Sequence, residues 1–218
     1  MDRKVARKSS GSTRHFPEAS LYAPGGDRKY VSPAERRRVL NAAHGLDADH
    51  ALFAQMLVWT GARVSEILAL TPAAFRIEEG VVAIATLKRR KHAIREVPLP
   101  ARLMAALDRA FRLREAQADP EHHHRRLWPW HRATAWRFIH HLMASVQIAG
   151  ARASPRGLRH GFGIAALQAG VPLNILQRWL GHARMTTTSI YADALGPEER
   201  AIAERLWTGP CKPGKSLE

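Results

Sequence analysis

Thr60-Gly61-Ala62-Arg63-Val64-Ser65-Glu66-Ile67-Leu68-Ala69-Leu70, TGARVSEILAL, is the stretch on which the fold turns. Before it, Leu52, Phe53, Met56, Leu57 and Trp59 make one broad apolar helical face, and Gly61 is a natural terminator because glycine takes the left-handed backbone of a helix end without steric cost. After it, Val64, Ile67 and Leu68 fall at helical spacing until Pro72 stops the run. Arg63 is therefore expected at the start of a short packed helix, a position rigid enough for a catalytic cation. Further out on the N-terminal side, Ser32-Pro33-Ala34-Glu35 supplies a capping serine, a proline at the first helical position and a glutamate three residues past the cap. On the C-terminal side, residues 81–87 and 93–99 are rich in Val and Ile and flank Lys88-Arg89-Arg90-Lys91-His92, which predicts a β-hairpin with a basic tip. Helices are expected over 101–117, 133–148, 155–169, 172–180, 186–194 and 197–207, the second with Ala135, Phe138, Ile139, Leu142 and Val146 in register. The expected class is α+β, mainly α, with one small antiparallel β-sheet.

Composition limits the partners. The 218 residues, 45% of them hydrophobic, suffice for one large domain with a sizeable core. Lys and Arg number 34 against 19 acidic residues, a formal net charge of +15, which points to a polyanion and to nucleic acid first. No apolar run of membrane-spanning length and no apolar signal-peptide centre occur, so neither membrane nor secretion is indicated and a cytoplasmic, DNA-associated protein is expected. The single cysteine, Cys211, excludes an internal disulfide and any cysteine-rich zinc site. Residues 1–30, basic and poor in apolar side chains, are expected to form a disordered arm, 31–207 the folded domain, and 208–218 a flexible tail.

Four residues stand in an order that suggests chemistry: Arg63, then Arg159 in SPRGLRHGFG, then His182 and Tyr191 in LGHARMTTTSIYADAL. Phosphoryl transfer to a tyrosine hydroxyl needs charge neutralised on the phosphate oxygens, and paired guanidinium forks do this without a metal. Each residue alone has a plainer reading. Arg63 can be a surface salt bridge to Glu66, His182 a helix C-terminal residue favoured by the dipole, and Tyr191 a half-buried core tyrosine.

Together, TGARVSEILAL, the basic hairpin before VPLP, GLRHGF, LGH and the later tyrosine resemble the catalytic domain of the tyrosine recombinases, the phage-integrase family, over about residues 31–207. The resemblance implies that Arg63 and Arg159 clamp the scissile phosphate, that His182 hydrogen-bonds to it, and that Tyr191 is the nucleophile. It also implies a hairpin lysine that protonates the departing 5′ oxygen; Lys88, which directly ends the apolar strand, is favoured over Lys91. One departure is Arg156, which stands where the family pattern has a histidine three residues before the second arginine. An arginine cannot accept a proton, so Arg156 is expected to add positive charge while deprotonation falls to His182, water or the phosphate. His160 reads equally as a partner behind the site or as a plain helix residue.

The expected activity is cleavage and rejoining of double-stranded DNA through a 3′-phosphotyrosyl link, for recombination or integration, with neither cofactor nor metal. Protomers are expected to form a homo-oligomer on DNA. Family members generally carry a helical core-binding domain ahead of the catalytic one, whereas about 30 residues precede it here, so a partner supplying that clamp, a fragment and a minimal recombinase all remain open. Two other activities stay in view: a type IB-like topoisomerase, and a noncatalytic DNA-binding accessory protein that keeps the fold. His122-His123-His124 with Glu121 reads as a solvated loop, since adjacent histidines converge poorly on one ion. Trp128, Trp130, Trp136 and Trp179 are read as core anchors.

Overall fold

The structure, a computed structural model, describes residues 20–86 and 93–192. Helix α1, Pro33–Ala43, starts on the predicted capping box: Glu35 N–H donates to Ser32 Oγ at 3.3 Å and Ser32 N–H to Glu35 Oε2 at 2.8 Å. The same carboxylate accepts from Arg28 at 3.1 Å and Arg152 at 2.9 Å, so one cap residue ties the entering chain to the turn before a distant helix. Within the segment read as a basic arm, Leu21 is buried and Lys29 N–H donates to its carbonyl, closing a turn whose residues 24–27 are exposed.

Helix α2, Ala48–Thr60, is apolar nearly all round and forms the centre of the main core. Gly61 ends it at φ +60, and a Cβ there would lie 2.4 Å from Phe162 Cδ1, so both the backbone and the packing require glycine. One turn of helix follows, α3, Val64–Ile67, with Arg63 at its N-cap as expected.

The predicted hairpin is present as β2, Val81–Thr86, and β3, Ala93–Pro98, paired antiparallel from Val81↔Pro98 to Thr86↔Ala93. A two-residue strand the sequence did not reveal, β1, Phe75–Arg76, adds to the other edge of β2. Val82, Ile84 and Val97 point inward with Arg95, a charged side chain on the core face. The basic tip, including both Lys88 and Lys91, lies outside the described residues.

The helix expected over 101–117 is two: α4, Ala101–Phe111, and α5, Leu113–Ala118, separated by Arg112 at φ +49. No glycine or proline marks that break. A left-handed arginine costs roughly 1–2 kcal/mol, and here it lets both Leu107 and Leu113 be fully buried. Helix α6, Arg132–Ser145, stops short of the expected 148 because Gln147 turns at φ +59 and delivers Ile148 to the core. Helices α7, Pro155–Gln168, and α8, Leu173–Leu180, match expectation within a residue, the second ending at Gly181 with φ +66. Within the helix expected over 186–194, α9 is one turn, Thr186–Ser189, and residues 190–192 do not continue it; residues 193–194 and the helix expected over 197–207 lie outside the described residues. Phe162, Leu176, Leu180 and Tyr191 form a second, smaller core with Leu21.

Trp128 is fully buried, and Trp130 and Trp179 are half-buried against the core. Trp136 is not a core anchor: it is 44% exposed and stacks on His140 with ring centroids 5.0 Å apart. It directly follows Ala135 on α6, and the buried face of that helix is already taken by Ala135, Ile139, Leu142 and Met143.

Candidate active site

A cleft of about 640 Å³ opens where the loop into α3, the start of α7 and the chain after α8 meet. Arg63, Arg156, Arg159, His160, His182 and Tyr191 line it together with Arg132 and Trp136, and its described lining has no carboxylate. Of the sequence-predicted residues, all but Lys88 are thus brought to one place; Lys88 lies outside the described residues.

Arg63 is held by its own helix. Its backbone N–H donates to Glu66 Oε2 at 2.9 Å and its Nη1 to Glu66 Oε1 at 2.7 Å. The salt bridge anticipated from sequence is therefore real, but it is not a surface feature: the Glu66 side chain is 0% exposed. Its other ion-pair partner is Arg95 of β3, Nη2 to Oε2 at 2.7 Å, which also donates from Nη1 to Thr86 Oγ1 at 3.1 Å and from Nε to the Trp179 carbonyl at 2.7 Å. Burial pushes the Glu66 carboxyl up, but the Arg95 guanidinium, the Arg63 N–H and the Arg63 charge together bring it below the usual carboxylate range. Glu66 and Arg95 thus fix Arg63, the sheet and α8 relative to one another. Arg95 was missed although strand alternation places it on the face of Val97 and Leu99, both buried; its acidic partner, 29 positions away, is what only the fold reveals.

Arg159 is buried and bridges two helix ends, Nη1 donating to the Gly61 carbonyl and Nη2 to the Leu180 carbonyl, each at 2.7 Å. Both carbonyls belong to helix C-termini, where the dipole favours a cation. These two bonds do not exhaust the N–H donors of a guanidinium, and the side chain still faces the cleft. Burial, with Arg63 adding to it, lowers the Arg159 pKa to about 10, so the group stays charged at neutral pH.

His182 is not the charged helix-end residue that the dipole alone would give. Burial first, then Arg159 and Arg63, lower its pKa to about 3, so the ring is neutral. Its Nδ1 lies 2.9 Å from the buried Thr188 Oγ1, and its backbone N–H donates to Gln177 at the end of α8. Tyr191 is fully buried, its ring nearly parallel to that of His182 at 6.3 Å and pressed on Gly163 of α7. Burial pushes the phenol pKa up, opposed by Arg159, Arg156 and Arg63. The tyrosine oxygen lies 3.1 Å from His160 Nδ1, and His160 Nε2 accepts from Arg156 Nε at 3.2 Å. His160, which sequence left undecided, is therefore in contact with the tyrosine oxygen.

Among the described residues no group of three His, Cys, Asp or Glu side chains could hold a metal. His122 instead pairs with Asp119 at 2.6 Å, and His123 stacks on His124. No helix of the described residues is long and apolar enough to cross a membrane. Chemically, the cleft is an anion site with a phenol on its wall: guanidinium forks suit a phosphate's oxygens, and the aromatic oxygen adjoins them.

The sequence model of the Phage integrase family matches residues 29–196. Tyrosine recombinase XerC of Pseudomonas aeruginosa strain LESB58 is 30% identical over 194 residues, covering 83% of this chain and 61% of that protein. The chain thus spans about three-fifths of the length of that relative. Among solved structures, the XerA recombinase superposes with a TM-score of 0.66 at 25% identity, covering 83% of this chain and 65% of that one. The Tn1549 transposon integrase in complex with circular intermediate DNA superposes with a TM-score of 0.62 at 24% identity, covering 83% and 68%, a likeness of fold. The mainly helical architecture with its three-stranded sheet, the order of the motifs and the match over residues 29–196 make this chain a member of the phage integrase family.

Proposed function

We propose that the protein cuts one strand of double-stranded DNA with Tyr191 and rejoins it, acting as a tyrosine-type site-specific recombinase or integrase. The observation that carries this reading is the convergence of Arg63, Arg159, His182 and Tyr191 on one cationic cleft from parts of the chain up to 128 positions apart (191 − 63). The Tyr191 oxygen attacks the scissile phosphorus, the bond from phosphorus to the 5′ oxygen breaks, and a 3′-phosphotyrosyl link forms. The phenolic proton passes to a nonbridging phosphate oxygen and then to solvent. Lys88, carried by the family resemblance, gives a proton to the departing 5′ oxygen.

Arg63 and Arg159 donate to the nonbridging oxygens, whose charge is greatest in the crowded transition state, so they stabilise it more than the ground state. Arg156 adds positive charge at the cleft. In this reading Thr188 Oγ1, 2.9 Å away, donates to His182 Nδ1, so the neutral ring keeps its proton on Nε2 and gives a hydrogen bond from it to the phosphate. The covalent link conserves phosphodiester energy, so rejoining to an incoming 5′-hydroxyl is the same step reversed. Exchange of strands between protomers assembled on DNA makes this recombination, in the cytoplasm where the chromosome lies; a partner that supplies a core-binding clamp would strengthen the hold on the duplex.

The test uses a pool of nicked duplexes with randomised central sequence, from which the short 5′-hydroxyl fragment diffuses away after cleavage. The parent is expected to give a covalent protein–DNA adduct on a denaturing gel and Tyr191→Phe none. A parent that binds the pool but gives no adduct would be an accessory protein. Plasmid relaxation without strand exchange would instead make it a type IB-like topoisomerase.

A further inference from the structure

His160 is buried between two partners on which the assigned chemistry makes no demand of it. Positions 156 and 160 lie one turn apart on α7, so Arg156 Nε reaches His160 Nε2 at 3.2 Å, and the ring's other nitrogen lies 3.1 Å from the Tyr191 oxygen. A guanidinium only donates, so Nε2 is the accepting nitrogen, and a neutral ring must then carry its proton on Nδ1. The ring is neutral at physiological pH: burial first, then Arg156, Arg159 and Lys29, hold its pKa at about 4. Nδ1–H therefore donates to the phenolic oxygen, and His160 in this state cannot take the tyrosine proton.

We propose that Arg156 and His160 form a relay that donates a hydrogen bond to the Tyr191 oxygen, aiming it and stabilising the negative charge it acquires on attack and regains when it leaves. The relay deepens the reading of Tyr191 as nucleophile and rests on it. His160, in contact with the reacting oxygen, is a catalytic residue; Arg156, which acts by setting the tautomer of His160, is a positioning residue. The relay supplies a donor to the phenolic oxygen, so the phenolic proton goes to the phosphate and not to this histidine. The charged groups around the phenol, Arg159, Arg156 and Arg63, work in the same direction by favouring the phenolate.

Two measurements test it. In single-turnover adduct formation, His160→Leu is expected to slow cleavage about ten- to a hundredfold, the worth of a hydrogen bond to a charged oxygen. His160→Asn, whose amide N–H sits near the place of Nδ1–H, is expected to recover most of the rate. Arg156→Met is expected to slow the parent about tenfold and the His160→Asn protein by a smaller factor, because there it removes only the guanidinium's charge at the cleft, an amide having no tautomer to set. Independently of any DNA, nitrogen-15 NMR of the free protein at pH 7, with His160 assigned by its loss in His160→Asn, is expected to show the proton on Nδ1, and Arg156→Met to shift it partly to Nε2. Equal loss from Arg156→Met in both backgrounds, a parent-like rate in His160→Leu, or a proton found on Nε2 in the parent would each overturn the relay. Absence of adduct from the parent, with the Nδ1 proton still present, would overturn the reading of the nucleophile instead.

Discussion

Replacing Glu66 by glutamine keeps its shape but removes the charge that two arginines share, and the structure makes the consequence large. The carboxylate is 0% exposed, Arg95 is 4% exposed and Arg63 28%, so the change leaves one guanidinium uncompensated in the interior and loosens a second at the cleft. Breaking a buried pair from one side costs about 3–5 kcal/mol. For a chain of this size that is a fall in melting temperature of roughly 6–20 °C. Glu78→Gln, which breaks the exposed pair with Arg114, is the control and is expected to cost less than about 1 kcal/mol. The Glu66 carboxyl is held below its ordinary value of 4.5, so its contribution is complete above that pH and disappears as the pH falls through the lower folded value. Thermal unfolding followed by circular dichroism at pH 7 and again in acid reads both effects: a wide gap between parent and variant at pH 7 that narrows in acid. A Glu66→Gln protein that melts within about 2 °C of the parent at pH 7 would refute the buried network as the frame of the site.

Gly163→Ala tests the seat of the nucleophile, since a Cβ there would stand 2.8 Å from two atoms of the Tyr191 ring. The ring must move while α7, which gains helix propensity, stays folded; adduct formation is expected to drop at least about tenfold with an unchanged far-ultraviolet spectrum. The histidines give the site a pH signature. His160, lowered from 6.5 to about 4, makes the unfolded chain bind a proton that the folded chain refuses, so stability is complete above about 6.5 and falls by on the order of 3 kcal/mol as the pH drops through 4. His182, lowered by burial and then by Arg159 and Arg63, extends that window to about pH 3. Denaturant unfolding between pH 4 and 7 is expected to slope less steeply in His160→Asn than in the parent, and equal slopes would contradict a histidine kept neutral by burial.

Much of this protein was legible because the signals were local. Ser32 and Glu35 close a capping box within one turn, Gly61 and Gly181 end helices by their own backbone freedom, and alternating Val and Ile on either side of a basic run make a hairpin. The motif order picked out Arg63, Arg156, Arg159, His182 and Tyr191, and these do meet in one cleft. The break at Arg112 escaped because an arginine is an ordinary helix former, and only the joint burial of Leu107 and Leu113 sets its left-handed turn. Trp136 was misread for a related cause: its neighbours are apolar, but the helix faces them elsewhere.

What the sequence alone determined is which residues are chemically able to act and which motifs hold them. Tertiary structure decided their electrical state. Arg95 finds Glu66 across 29 positions, the Tyr191 oxygen finds His160 across 31, and Arg159 finds the Gly61 carbonyl across 98. Charge, tautomer and pKa depend on what lies within a few ångströms in a poorly solvated interior, and that neighbourhood exists only once distant segments have packed together.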